Sequence, residues 1–308
     1  MREIVMERRG SPGLSIGMYP WIDYRGRFSA LRATVFGALF LPALYVAIAL
    51  EQQWLGSRPL TEAIHEIGLW TIRFIFLALA VSPLRRILNW PRLIEVRRMI
   101  GVAACVYILI HFTLYVVDEA FDIPTVFSEV VRRIYLTLGF TALLGLATLA
   151  ATSTDGWVRR LGRRWQKLHR IVYGIALLAV IHFYMQSKAD VWEPIWMSGL
   201  LVWLMGWRLL DRLAPRGRGV PLWQVALLGL AASVVTGLGE ALYFYVMVHA
   251  PFERVVAANF SADIGVRPSW VVLGVTGAVT LAGLARKFSR RPAGASPART
   301  RASAARGV

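Results

Sequence analysis

The sequence predicts an all-α membrane protein, a polytopic bundle of about eight transmembrane helices, and three observations carry that prediction. Of the 308 residues, 56% are hydrophobic. The apolar residues gather into runs close to the ~20 that a helix needs to cross a bilayer. The formal net charge of +17 sits in alternate connections between those runs and in the C-terminal tail. That placement follows the positive-inside rule and argues against a nucleic-acid-binding surface.

The elements follow in order. Residues 1–30 are polar and basic and read as a cytoplasmic lead-in. The first apolar span, about 33–50, contains Pro42, which a membrane helix tolerates as a kink. Its Ala47-Ile48-Ala49 mimics a signal cleavage site, but the lengths of the span and of the segment before it predict retention. The second span, about 64–82, carries Arg73 near its middle and ends at Pro83, Arg85 and Arg86. The third, about 99–117, follows Arg97 and Arg98 and contains His111. The fourth covers about 134–152, and the fifth holds His169 and His182. The sixth, about 192–210, opens on the aromatic anchors Trp192 and Trp196. Two further spans run over about 222–248 and 269–285. The expected organisation is a six-helix core over 31–214, two additional helices over 215–287, and a disordered basic tail over 288–308 that is attracted to anionic lipid. No internal repeat is visible.

Loop charge tests this count. Arg85, Arg86, Arg92, Arg97 and Arg98 face a single Glu95 in one connection, and Arg159 to Lys167 is wholly basic. After the sixth span, Arg208, Arg212, Arg216 and Arg218 face Asp211. The intervening connections are acidic or balanced: Glu51 and Glu62 with Arg58; Asp118, Glu119, Asp122 and Glu129 with Arg132 and Arg133; Asp190 and Glu193 with Lys188. An even number of spans puts both termini on the basic, cytoplasmic side.

Ionisable side chains within a bilayer are costly and mark candidate functional sites. His111 lies as many residues beyond Arg98 as His182 lies beyond His169, on two helices running in the same direction, so the two share a depth in the outer half of the membrane. Neutral imidazoles on neighbouring helices can clamp one iron axially, and a b-type haem is the expected guest. The structural alternative is a pair of core histidines bonded to carbonyls or hydroxyls. His169 is expected some 20 Å further in and roughly 140° around the helix from His182, where a second redox group, a flavin, a quinone or a singly ligated haem, is expected. Two heptads below His111, the face it shares carries Arg97, which presents only donors and cannot serve as an axial ligand. Arg97, with Arg163, Arg164 or Lys167, suits a propionate, a quinone carbonyl or a flavin phosphate. Arg73 should pair with a carboxylate, a carbonyl or a propionate. Glu240 has no evident partner, and His65 and His249 sit near outer helix ends.

The single cysteine, Cys105, lies in an apolar run, so no internal disulfide, cysteine-rich metal site or c-type haem attachment is expected. No Gly-rich dinucleotide fingerprint follows a strand. Electrons would have to come from a mobile carrier or another polypeptide.

Residues 65–86, 97–117 and 152–184 carry a resemblance, strongest in LGRRWQKLHRIVY with His182 beyond it. They resemble the MsrQ family of haem-binding membrane subunits of periplasmic methionine sulfoxide reductase systems, within the wider ferric-reductase-like transmembrane group. The similarity covers roughly residues 30–210. It implies haem b and FMN as cofactors, and electron transfer from the quinone pool or a cytosolic flavin reductase to a periplasmic molybdopterin reductase of the MsrP type. Carried over by position, the family histidines fall on His111, His169 and His182. Where the wider group has a fourth histidine this chain has Arg97, which departs from a symmetrical two-haem pattern. Two other readings are a ferric-reductase-like or cytochrome b561-like reductase of a metal or small molecule, and a non-redox scaffold or transporter.

Overall fold

The computed structural model describes residues 19–289 except 24, 188–189, 216–218 and 262–263. Expectations for residues 1–18, Lys188, Arg216, Arg218 and the tail beyond Ser289 lie outside the described residues. The described chain is helical, with one isolated antiparallel bridge between Ile22 and Phe28.

The first apolar span is two helices, α1 (Ala30–Ala38) and α2 (Leu41–Glu51), with Pro42 in the opening turn of the second. The break is bridged from outside. Tyr107 Oη accepts from the Ala43 N–H at 2.9 Å and donates to the Leu39 carbonyl at 2.7 Å, the two groups that a continuous α-helix would join directly. α3 (Pro59–Ile87) leads through a 3-10 turn at Pro91–Leu93 into α4 (Ile94–Asp118). The short α5 (Ile123–Arg132) is capped by Asp122, whose side chain accepts from the Thr125 N–H. α6 (Ile134–Ala151) follows, then α7 (Asp155–Leu161) and α8 (Arg163–Leu168), parted by Gly162 at φ +51°, a left-handed conformation that glycine adopts freely. A 3-10 turn at His169–Ile171 opens onto α9 (Val172–Gln186). The chain continues as α10 (Trp192–Leu213), α11 (Leu222–Val248), α12 (Phe252–Ala258) and α13 (Pro268–Ser289).

Among the described residues, seven segments are long and apolar enough to cross a membrane: Ala30–Glu51, Pro59–Ile87, Pro91–Asp118, Ile134–Ala151, Arg163–Gln186, Leu222–Val248 and Pro268–Ser289. Apolar side chains exposed around them, such as Val106, Leu144, Leu177, Leu227 and Leu281, are those of an integral membrane protein. The sixth anticipated span, α10, has 22 residues but is less apolar than the other seven because of Glu193, Arg208, Asp211, Arg212 and its tryptophans. Its charges are answered by α3. Arg73 pairs with Glu193 at 2.9 Å and lies over the Trp70 ring, and Arg86 pairs with Asp211. Pro83 lacks the N–H that the Leu79 carbonyl would otherwise receive, and Arg208 on α10 donates to that oxygen at 2.6 Å. The mid-span arginine foreseen in the sequence therefore has a carboxylate partner.

The C-terminal helices cover the other side of α10. Glu240 on α11 is 2% exposed and is not the orphan the sequence suggested. It pairs with Arg267 and accepts from Asn259 Nδ2 at 3.1 Å, while Asn259 Oδ1 accepts from Ser269 Oγ at 2.6 Å. This cluster fastens the connection through α12 to both long helices. Removing one partner of a buried ion pair strands the other charge, at about 3–5 kcal/mol. Arg267→Met should therefore lower the thermal midpoint in detergent, and adding Glu240→Gln should restore most of it. An unchanged midpoint in the single variant would show that the pair does not hold the extension.

Candidate functional site

The candidate site lies between two helix pairs, α3 with α4 and α6 with α9, around a cavity of about 530 Å³. That volume is typical of sites for organic ligands. Its walls are apolar, with Ile75, Ile108, Phe112, Leu143 and Ala179 among them. His111 enters from α4 and His182 from α9, with ring centroids 6.4 Å apart and ring planes at 89°. Sequence depth thus identified a real juxtaposition.

Each imidazole is tied at one nitrogen. His111 Nδ1 lies 2.8 Å from the Ile64 carbonyl and His182 Nδ1 lies 2.7 Å from the Tyr135 carbonyl. A carbonyl oxygen only accepts, so in both rings Nδ1 carries the hydrogen and donates. In the neutral rings that leaves both Nε2 atoms as acceptors, with lone pairs available to a metal. Among the described residues no group of three His, Cys, Asp or Glu side chains stands ready to hold a metal ion. In the cavity wall, the buried Tyr115 hydroxyl has no hydrogen-bond partner in the protein.

The two halves of the site repeat one another, which the sequence reading missed. Each histidine stands 47 residues beyond the residue whose carbonyl it contacts. The step along the chain from Ile64 to Tyr135 also takes Gly68 to Gly139 and Ile110-His111-Phe112 to Ile181-His182-Phe183. Gly68 and Gly139 are the points where the rings lie against the neighbouring helix. A Cβ on Gly68 would stand 2.9 Å from His111 Nδ1, and one on Gly139 would stand 3.0 Å from His182 Nδ1. The recurring Ile-His-Phe triplet was the available signal. The same step takes Arg98, rather than the expected Arg97, to His169.

The remaining predicted residues are not brought to the cavity. His169 is stacked on Trp165 with ring centroids 3.8 Å apart; its Nδ1 lies 3.1 Å from the Trp165 carbonyl and its Nε2 lies 3.3 Å from Ser153 Oγ. Arg98 is bound to Asp155 at 2.5 Å, and this guanidinium holds the Asp155 carboxyl below the usual carboxylate range. Arg97 is half-buried, and Arg163 and Arg164 are exposed at the same basic end. Arg73 is engaged by Glu193, whose side chain reaches the cavity mouth beside Glu62, His65, Glu66 and Asp190.

Residues 66–180 match the family described as ferric reductase like transmembrane component. A protein of Xanthomonas campestris pv. campestris (strain 8004) named protein-methionine-sulfoxide reductase heme-binding subunit MsrQ is 45% identical over 163 residues, covering 53% of this chain and 75% of the relative. Proteins of the same name from Xanthomonas euvesicatoria pv. vesicatoria (strain 85-10) and Azospira oryzae are 39% identical over 194 residues and 35% identical over 221. These alignments cover 61% and 70% of this chain and 89% and 95% of the relatives. No solved structure matches the chain.

Proposed function

From membership in the MsrQ family of protein-methionine-sulfoxide reductase heme-binding subunits, to which this chain belongs, we propose that it is a haem b electron-transfer subunit with His111 and His182 as the two axial ligands. The observation that carries the reading is the facing pair of imidazoles. Two metal–nitrogen bonds of about 2 Å each, plus the distance from each nitrogen to its ring centre, require centroids roughly 6 Å apart; the rings stand at 6.4 Å. Two protein ligands suit a metal whose equatorial positions are filled by a macrocycle. The apolar walls suit a porphyrin face, and the free Tyr115 hydroxyl can donate to a polar group of the guest.

Bound there, haem would supply one-electron redox chemistry. The protein holds the two imidazoles in the neutral Nδ1–H form, keeps water from the faces of the ring with Ile108, Phe112 and Leu143, and leaves a mouth at the acidic end. In this reading the chain lies in the bacterial inner membrane with both termini cytoplasmic, and the mouth faces the periplasm. There a partner of the MsrP type, a molybdopterin reductase acting on methionine sulfoxide, receives the electrons. The donor side is the basic end, with Arg97, Arg163 and Arg164 offering cations to a quinone or to the phosphate of FMN. The six-helix part over 31–214 is the haem-binding domain, and the helices over 215–287 are its brace.

His111→Ala and His182→Ala should each abolish the low-spin bis-imidazole spectrum of detergent-purified protein, read as reduced-minus-oxidised difference with pyridine haemochrome quantitation. Retention of that spectrum in either variant would refute the axial pair. His169→Ala should keep it, because the His169 ring is turned to Ser153 and Trp165. Loss of the low-spin haem in His169→Ala, with helical content intact, would place a ligand at the basic end instead.

A further inference from the structure

We propose that Gly68 and Gly139 are positioning residues that set the orientation and basicity of the two axial imidazoles. The inference deepens the haem reading and rests on it. A histidine ligand needs a partner for its second nitrogen, which fixes the tautomer and makes the coordinating nitrogen more basic. Here that partner is a main-chain carbonyl, Ile64 for His111 and Tyr135 for His182. No side-chain substitution removes a carbonyl, so what decides whether the bond forms is how closely the ring can approach the helix.

Each carbonyl belongs to the residue four positions before the glycine, and within the helix it also accepts the glycine N–H. A carbonyl oxygen has two lone pairs and accommodates both donors. The ring can reach the second lone pair only by lying on the helix surface where a side chain would begin. At Gly68 a Cβ would come within 2.9 Å of both His111 Cε1 and Nδ1. At Gly139 it would come within 2.9 Å of His182 Cε1 and 3.0 Å of Nδ1. The obstacle would be backbone-attached and the ring is held by the opposite helix, so the ring must rotate or retreat. Either movement lengthens the Nδ1–H bond and turns Nε2 from the shared axis. The same arrangement on both ligands, at equivalent positions of the repeated unit, marks it as part of the site. Other glycines on the ligand helices differ: a Cβ at Gly101 on α4 or at Gly174 on α9 would meet nothing within 4 Å.

The test compares Gly68→Ala and Gly139→Ala with Gly101→Ala and Gly174→Ala in the full-length detergent-purified protein, reading haem occupancy, spectrum and midpoint potential. Each of the first pair should lower haem affinity by about tenfold or more, the effect of losing an outer partner of a ligand. Any haem retained should show a less intense low-spin spectrum and a more positive midpoint, because a less basic imidazole stabilises the ferric state less. The second pair should match the wild type. A further measurement separates positioning from general helix packing: the thermal midpoint of apoprotein with Gly68→Ala alone, His111→Ala alone and both together, and likewise for Gly139 with His182. Once the ring is gone, the alanine should cost nothing, alanine being the better helix former. Recovery of folding or stability in the double variant supports the inference. An equal loss with and without the histidine overturns it, as does a wild-type spectrum and potential in both glycine variants while the histidine variants lose haem. Wild-type protein without haem overturns the haem reading itself.

Discussion

The structure depends on two hydrogen bonds from half-buried imidazoles to helix carbonyls. An imidazole in an apolar bundle must satisfy its N–H, since an unmatched polar group there costs on the order of 1–3 kcal/mol. Ile64 and Tyr135 accept those hydrogens, and the protonated nitrogen is thereby fixed on the helix side of each ring. The facing nitrogens are left to the cavity. The tautomer, the ring direction and the available lone pair thus follow from one contact made twice, and that contact exists because neither Gly68 nor Gly139 has a side chain.

The rest of the bundle can be understood as support for α3, which provides one of the two carbonyls. Its middle is tied to α10 by Arg73 and Glu193, the turns that follow by Arg208 at the Leu79 carbonyl that Pro83 leaves free, and its basic end by Arg86 and Asp211. These charges make α10 too polar to be a simple lipid-facing span, and α11 and α13 cover its opposite side. The polar cluster of Glu240, Asn259, Arg267 and Ser269 in turn locks the cover. A chain of contacts therefore runs from the C-terminal extension to the histidine site without the extension touching the cavity.

Much of this was legible in the sequence, for identifiable reasons. Apolar run length and alternating loop charge gave the helices, and counting from the arginine collars put His111 and His182 at one depth. What escaped was decided by contacts between distant segments. Arg73 could not be assigned to Glu193, nor Glu240 to Arg267, because pairing across 120 residues or through a connecting helix leaves no local pattern. The short helices α7 and α12 escaped because they are too brief to show a periodicity, and α5, whose Ile123, Val126, Phe127, Val130 and Val131 do follow the helical spacing, is too short to cross a membrane. The duplication escaped because α3 and α6 share little beyond a glycine, although the Ile-His-Phe triplets on α4 and α9 signalled it.

The central claim is that one iron sits between His111 and His182, and electron paramagnetic resonance of the ferric wild-type protein tests it most directly. With ring planes at 89°, the account predicts a low-spin signal of the strongly anisotropic kind given by perpendicular axial imidazoles, integrating to one haem per chain. A high-spin signal alone, from iron lacking the second imidazole, would contradict it.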